Sequence, residues 1–369
     1  MSDNKLSGRI GNFKARKDSD AWKIALNSIC RTPEDAKALL PDLLSSTDEN
    51  QIIAGMEITR ICRADEYLEK ILEAGCSDHI GAVTQAAFKT IKERATEEFL
   101  PKLIEKLDVQ NTTVNYYLIN TIGWIKNEES TVALAKELRR SLNGKAAAYQ
   151  LQLRQWVPTD PIDKAYYAAY FYDIETLNSL GKSAVPVVCH VIRQGLESEV
   201  LVNFLGQYDD PEIIDTLAKR FMKYEVTRDF GTAAEKVLAS YKNKATPVLI
   251  EMLTSDERLA HYFASKILAK TKDPTAEEAL FNLLQRNKEI AYRYAFEALG
   301  FMKSRRSVPL ISKWLNHSDL VVQKVCINAL ARIGDPSVLP QLYDMRVKIS
   351  EKNVKHLAAA ITKLEKQAK

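Results

Sequence analysis

The sequence predicts an all-α fold: a right-handed α-solenoid of stacked helix pairs with a period of about 31 residues. Three observations predict it. Ala298-Leu299-Gly300 is answered by Ala329-Leu330-Ala331, and Val308-Pro309-Leu310 by Leu339-Pro340-Gln341, each 31 positions later. The same ruler reaches back along the chain. Pro340, Pro309 and Pro247 share one grid, with Glu278 in the remaining slot, and Leu330, Leu299, Leu268 and Val237 share another. Glycine and proline are few, 13 and 12 in 369 residues, and no segment alternates as a strand does, so nothing competes with helix.

Each period holds two helices. The first, about 308 to 316, carries Val308, Leu310, Ile311, Trp314 and Leu315 at helical spacing, and a polar turn Asn316-His317-Ser318-Asp319 follows. The second, about 319 to 333, carries Val322, Cys326, Ile327, Ala329, Leu330 and Ile333, with small residues at 295, 298, 329 and 331 allowing close packing. One such hairpin cannot bury its apolar stripe alone, whereas a stack of neighbours can. Asp-Pro pairs punctuate the array at 160–161, 210–211, 273–274 and 335–336, and Thr32-Pro33 repeats the chemistry. Each marks a helix start, because Asp accepts from free amides and Pro has no amide to leave unpaired in the first turn.

The segment VQKVCINALARIGDPSVLPQL resembles the HEAT-like repeat of the subtype named after phycobilisome lyases, whose pattern runs V-R-x-x-A-A-x-A-L-G-x-I-G-D-P-x-A-V-P-x-L. Val322, Ala329, Leu330, Ile333, Gly334, Asp335, Pro336, Val338 and Pro340 fit it, and Gln323 stands where arginine is usual. The likeness is clear from about 245 to 345 and diffuse before that. It implies a HEAT-like or armadillo-type stack and says little about activity.

Taken in order, residues 1–20 are polar and basic (Lys5, Arg9, Lys14, Arg16, Lys17) and read as a flexible leader. Residues 21–142 hold N-terminal helix pairs, with Ile61, Ile91 and Ile122 spaced by 30 and 31. Residues 143–182 break the rhythm. Asn143-Gly144 reads as a helix end, and a tyrosine-rich stretch AYYAAYFYDIETL follows Asp160-Pro161. Trp156, Tyr166 and Tyr170 are either a buried seam or an aromatic recognition patch. Regular repeats occupy 183–345, and 346–369, with Ile349, Val354, Leu357, Ile361 and Leu364, reads as an amphipathic capping helix.

Composition excludes several classes. Lys and Arg number 52 against 48 Asp and Glu, a net charge of +4 that neither demands nor excludes nucleic acid. The five cysteines form no framework, which favours reduced thiols and a cytoplasmic setting. No apolar run is long enough to span a bilayer. Walker-type GK[ST], GxGxxG and GxSxG motifs are missing. HEAT-like diiron hydroxylases use repeated His-Glu pairs, and none of the five histidines here precedes Glu. Cys76-x-x-His79 with Cys62 upstream superficially resembles half a zinc site, and no second pair supports it. No catalytic residue, metal or cofactor is implied.

A binding surface is expected on the concave side, which second helices line. The positions the repeat leaves variable are Tyr262, Lys266 and Lys270; Arg293, Tyr294 and Glu297; and Lys324, Asn328 and Arg332. The reading is a non-enzymatic scaffold that holds a protein partner on this ridge. A nucleic-acid cradle like that of HEAT-like DNA glycosylases stays open as an alternative. So does a bilin lyase or chaperone role, suggested only by the name of the repeat subtype.

Overall fold

The computed structural model describes residues 10–368 except 18, 78–80, 108–110, 141, 224–225, 254, 256, 272 and 286–288. The described residues contain α-helices, 3-10 turns and loops, with no strand, and divide into two compact units, residues 1–170 and 171–369. The chain is an all-α stack of helix pairs.

The first unit comprises α1 (Asp20–Ile29), α2 (Pro33–Ala38), α3 (Leu40–Leu43), α4 (Glu49–Cys62), α5 (Leu68–Cys76), α6 (Ala82–Arg94), α7 (Leu100–Glu105), α8 (Thr112–Ile122), α9 (Glu128–Arg140), α10 (Gly144–Gln152) and α11 (Pro161–Phe171). Helices α4, α6, α8 and α10 form a row, each packed on the next, with α5, α7 and α9 paired against α6, α8 and α10. The basic leader is not loose over its described part. Phe13 is fully buried, edge-on to Trp22 at 5.9 Å. Gln51 Nε2 donates to the Ile10 carbonyl, and the Lys17 amide donates to Asn50 Oδ1. One buried aromatic ring outweighs the solvation of neighbouring lysines, whose stems let their charges stay in water. Residues 1–9 and 18 lie outside the described residues.

The second unit comprises α12 (Ile174–Leu180), α13 (Val185–Arg193), α14 (Glu199–Leu205), α15 (Pro211–Lys223), α16 (Arg228–Ser240), α17 (Thr246–Met252), α18 (Arg258–Thr271), α19 (Pro274–Gln285), α20 (Glu289–Met302), α21 (Val308–Lys313), α22 (Leu320–Ile333), α23 (Leu339–Met345) and α24 (Glu351–Ala368). Helices α14, α16, α18, α20, α22 and α24 stack in series, and α13, α15, α17 and α19 form the opposing row. The residues of the leucine grid, Val237, Leu268, Leu299 and Leu330, are all buried, as periodicity requires. Burying each such side chain is worth about 2 kcal/mol. The close approach of α20 and α22 depends on Gly300, because a Cβ there would lie 2.8 Å from Ala329 Cα. Along α24 the buried face is Leu357, Ala360, Ile361 and Leu364, while Val354 is 45% exposed.

The Asp-Pro starts hold at atomic detail. Asp160 accepts from the amides of Ile162 and Asp163, Asp210 from Glu212, Asp273 from Thr275 and Asp335 from Ser337, at 2.8–3.1 Å. These bonds hold the Asp160 and Asp335 carboxyls below the usual range. Thr32 differs: its hydroxyl hydrogen-bonds Asp35 and the Ile29 carbonyl and caps no amide.

One further reading is corrected. Asn143-Gly144 begins α10 rather than ending a helix. Gly144 is required by packing, since a Cβ would meet the Tyr170 hydroxyl at 2.1 Å. Of the three spaced isoleucines that mark the period, Ile91 and Ile122 are buried and Ile61 is 42% exposed.

Candidate interaction site

The nine ridge positions form a lattice. Helix α18 offers Tyr262, Lys266 and Lys270 and α22 offers Lys324, Asn328 and Arg332 at four-residue spacing, while α20 offers Arg293 and Glu297 at that spacing with Tyr294 next in sequence. Across helices eight of them align at the repeat period: 262, 293 and 324 in one column, 266, 297 and 328 in the next, and 270 and 332 in the third, where Phe301 holds the middle place. Tyr294 adjoins Arg293, and its ring meets Tyr262 edge-on at 5.6 Å. Tyr262, Arg293, Tyr294, Glu297, Asn328 and Arg332 are half-buried, and Lys324 is exposed.

Charge divides these columns. Lys266 and Lys270 both reach Glu235 on α16, at 2.7 and 2.8 Å, and the Lys266 ammonium also lies 4.9 Å over the Tyr262 ring. Glu235 is only 6% exposed. Burial alone would raise its carboxyl, but hydrogen bonds from Lys266 and Lys270 outweigh that and leave it below the usual range. Arg332 pairs with Glu297 at 3.6 Å and stacks 4.0 Å over the Phe301 ring. Arg293 and Lys324, in the first column, form no ion pair with a described residue. The cations of the second and third columns are thus spent on the stack, while in the first column Arg293 is half-buried and Lys324 exposed, with no described carboxylate partner.

Glu235 was not among the sequence-derived ridge residues, although it belongs to the same grid: 235, 266, 297 and 328 are successive steps of 31. The first unit uses a similar device. Glu57, 7% exposed, takes Arg60 of its own helix at 2.6 Å and Lys89 of α6 at 2.8 Å.

The aromatic stretch resolves differently. Tyr166 and Tyr170 are buried, at 7% and 4% exposure, with rings stacked 6.4 Å apart, and the Tyr170 hydroxyl donates to the Leu138 carbonyl. Burial pushes both phenols up. They are core of the first unit and offer no exposed recognition patch. Trp156 is half-buried, edge-on to Tyr167 at 5.9 Å, and lines an open groove. Beside it, Arg154 forms a node. Its Nη2 donates to the carbonyls of Ile122, Gly123 and Ile125 at 2.8–3.0 Å, and its Nη1 to the hydroxyls of Ser130 and Thr131. A cation placed on the last carbonyls of α8 complements the negative helix end.

Among the described residues no group of three or more His, Cys, Asp and Glu gathers to hold a metal. His79 lies outside the described residues, so the Cys62, Cys76 and His79 set is undecided by geometry. Burial raises the Cys76 thiol, the opposite of an activated ligand. No described helix is long and apolar enough to cross a membrane.

Comparison with known families matches residues 277–361 to HEAT repeats. This stretch, from α19 into α24, is similar to HEAT repeats; the phycobilisome-lyase subtype does not emerge. No curated protein matches. Among solved structures, the chain is similar to an engineered protein at 16% identity, covering 98% of each chain with a TM-score of 0.33. It is also similar to YibA of Escherichia coli at 14% identity, covering 95% of this chain and 98% of that one, TM-score 0.34. UNC-45 from Drosophila melanogaster matches at 12% identity over 99% of this chain, which spans 57% of that protein, with a TM-score of 0.34.

Proposed function

We propose that this protein is a scaffold that binds a protein partner on the exposed side of α18, α20 and α22. The observation that carries the reading is the sorting of charge along the ridge. Lys266, Lys270 and Arg332 are held by Glu235 and Glu297, while Arg293 and Lys324 have no described carboxylate partner and share the ridge with the paired rings of Tyr262 and Tyr294. Aromatic rings next to unneutralised cations suit a partner that brings acidic and apolar groups together. A nucleic-acid cradle needs a run of free cations to follow a phosphate backbone, and neutralisation within the ridge leaves few.

The test is affinity purification with mass spectrometry, comparing the intact protein with an Arg293→Glu, Lys324→Glu variant after nuclease treatment. Lys266 is a poor choice for substitution because it supports Glu235 inside the stack. The variant should lose specific proteins while its helical circular dichroism is unchanged. Identical protein sets from both samples would remove this surface as the binding site.

A further inference from the structure

A second surface lies in the first unit, on residues outside the ridge. The segment after α10 runs past α9 and leaves two adjoining open hollows that meet at Thr131, Val132 and Trp156, one flanked by Leu153 and Lys126 and the other by Lys136, which together make a groove. Val132 is 49% and Leu153 57% exposed, and Val157 beside them is 76% exposed. Scattered single apolar residues on a surface need no explanation, but a contiguous set around a tryptophan marks an interaction site.

The groove is preformed. Arg154, between Leu153 and Gln155, ties this segment to three carbonyls at the end of α8 and to two hydroxyls of α9. Tyr167 meets the Trp156 ring edge-on at 5.9 Å. A wall already fixed in place loses little freedom when a ligand arrives. The rim selects the ligand by charge. Lys126 and Lys136 are exposed and have no carboxylate partner among the described residues, whereas Arg139 is neutralised by Asp160 and Asp163 at 2.8 and 2.6 Å. Glu128 is the opposing charge on that rim. Two free ammonium groups against one carboxylate favour an acidic ligand.

Resting on the scaffold reading, we infer that this groove binds a short linear segment of a partner protein, an apolar anchor seated on Trp156 and Val132 with carboxylates flanking it toward Lys126 and Lys136. The groove is separate from the ridge, so the chain presents two independent docking surfaces.

The experiment pans a displayed library of random linear peptides against the full-length protein and measures selected peptides by fluorescence polarisation. Selected peptides should share an aromatic or leucine anchor next to Asp or Glu. Val132→Asp should weaken them at least about tenfold, and Lys126→Glu with Lys136→Glu about three- to tenfold with loss of salt dependence. Both sets of positions are exposed, and an unchanged thermal melt shows the variants are folded. The inference is overturned if no peptide is selected, if the peptides lack an acidic bias, if they bind the Val132→Asp variant as well as the parent, or if single-stranded oligonucleotide displaces them. Peptides lost in Arg293→Glu, Lys324→Glu but kept in Val132→Asp would support the ridge and sink the groove. The reverse pattern is the one expected of the groove, and it leaves the ridge to the affinity purification described above.

Discussion

Replacing Arg154 with methionine keeps most of the side-chain stem and removes the guanidinium that closes the end of α8. Three carbonyls, those of Ile122, Gly123 and Ile125, lose a charged donor, and Ser130 and Thr131 each lose one bond. A hydrogen bond to a charged group is worth about 1.5–3 kcal/mol; the Ile122 and Ile125 carbonyls keep the Ile125 amide and the Ser130 hydroxyl as donors, so the further cost of an orphaned carbonyl, about 1–3 kcal/mol, falls on Gly123. The site is half-buried, so water will recover part of this, and the five bonds act as one unit rather than adding. A loss of about 3 kcal/mol is the reasoned outcome. For a unit of this size that corresponds to about 6–12 °C in Tm. Because a repeat stack need not unfold in one step, hydrogen exchange with mass spectrometry is the better assay. Peptides covering α8 and the start of α9 should lose protection, while those covering α18 to α22 keep theirs. Arg154→Lys should recover less than half the loss, since an ammonium lacks the guanidinium's five-donor fork. If protection at α8 is unchanged and Tm moves by less than about 2 °C, Arg154 is not the node described.

Two other outcomes follow from the second unit. Gly300→Ala drives a methyl group toward Ala329 Cα at 2.8 Å, a backbone contact that no rotamer relieves, and should cost about 1–3 kcal/mol in denaturant unfolding. Ala298→Gly in the same helix removes a buried methyl as well as adding the usual helix penalty, and should cost about 1–2 kcal/mol. Glu235 governs an acid limb. Its folded carboxyl sits below the usual range, so its contribution is complete above the unfolded pKa of about 4.3 and is lost as pH falls through the folded value. Glu235→Gln should therefore lower stability near neutrality and flatten the decline on acidification. Parallel urea titrations from neutral pH into the acid limb measure both, and parallel pH profiles for the two proteins would contradict this role.

The repeat was legible because burial recurs with the period. Leu268, Leu299 and Leu330 share a grid and are all inside. The Asp-Pro starts were equally legible, since a cap is made by neighbours two or three residues along the chain. What failed was long-range or depended on a single contact. Asn143-Gly144 looks like a helix end until Tyr170, 26 residues on, is seen to need the space beside Gly144. Phe13 sits among lysines, and only its contact with Trp22 turns the leader inward.

Four-residue spacing and the 31-residue period place eight of the nine ridge positions on one row of faces of α18, α20 and α22, and that much is local sequence. Their roles did not follow, because an ion pair needs its partner within a few ångströms and the partner here is on another helix. Glu235 claims Lys266 and Lys270 only once the helices are stacked, and Glu297 claims Arg332 in the same way. Sequence by itself determined the fold class, the core and the helix starts, all of which recur with the period or arise between near neighbours. Tertiary structure alone decided which charges remain free and which tyrosines are buried, because desolvation and pairing depend on what the rest of the stack places beside each group.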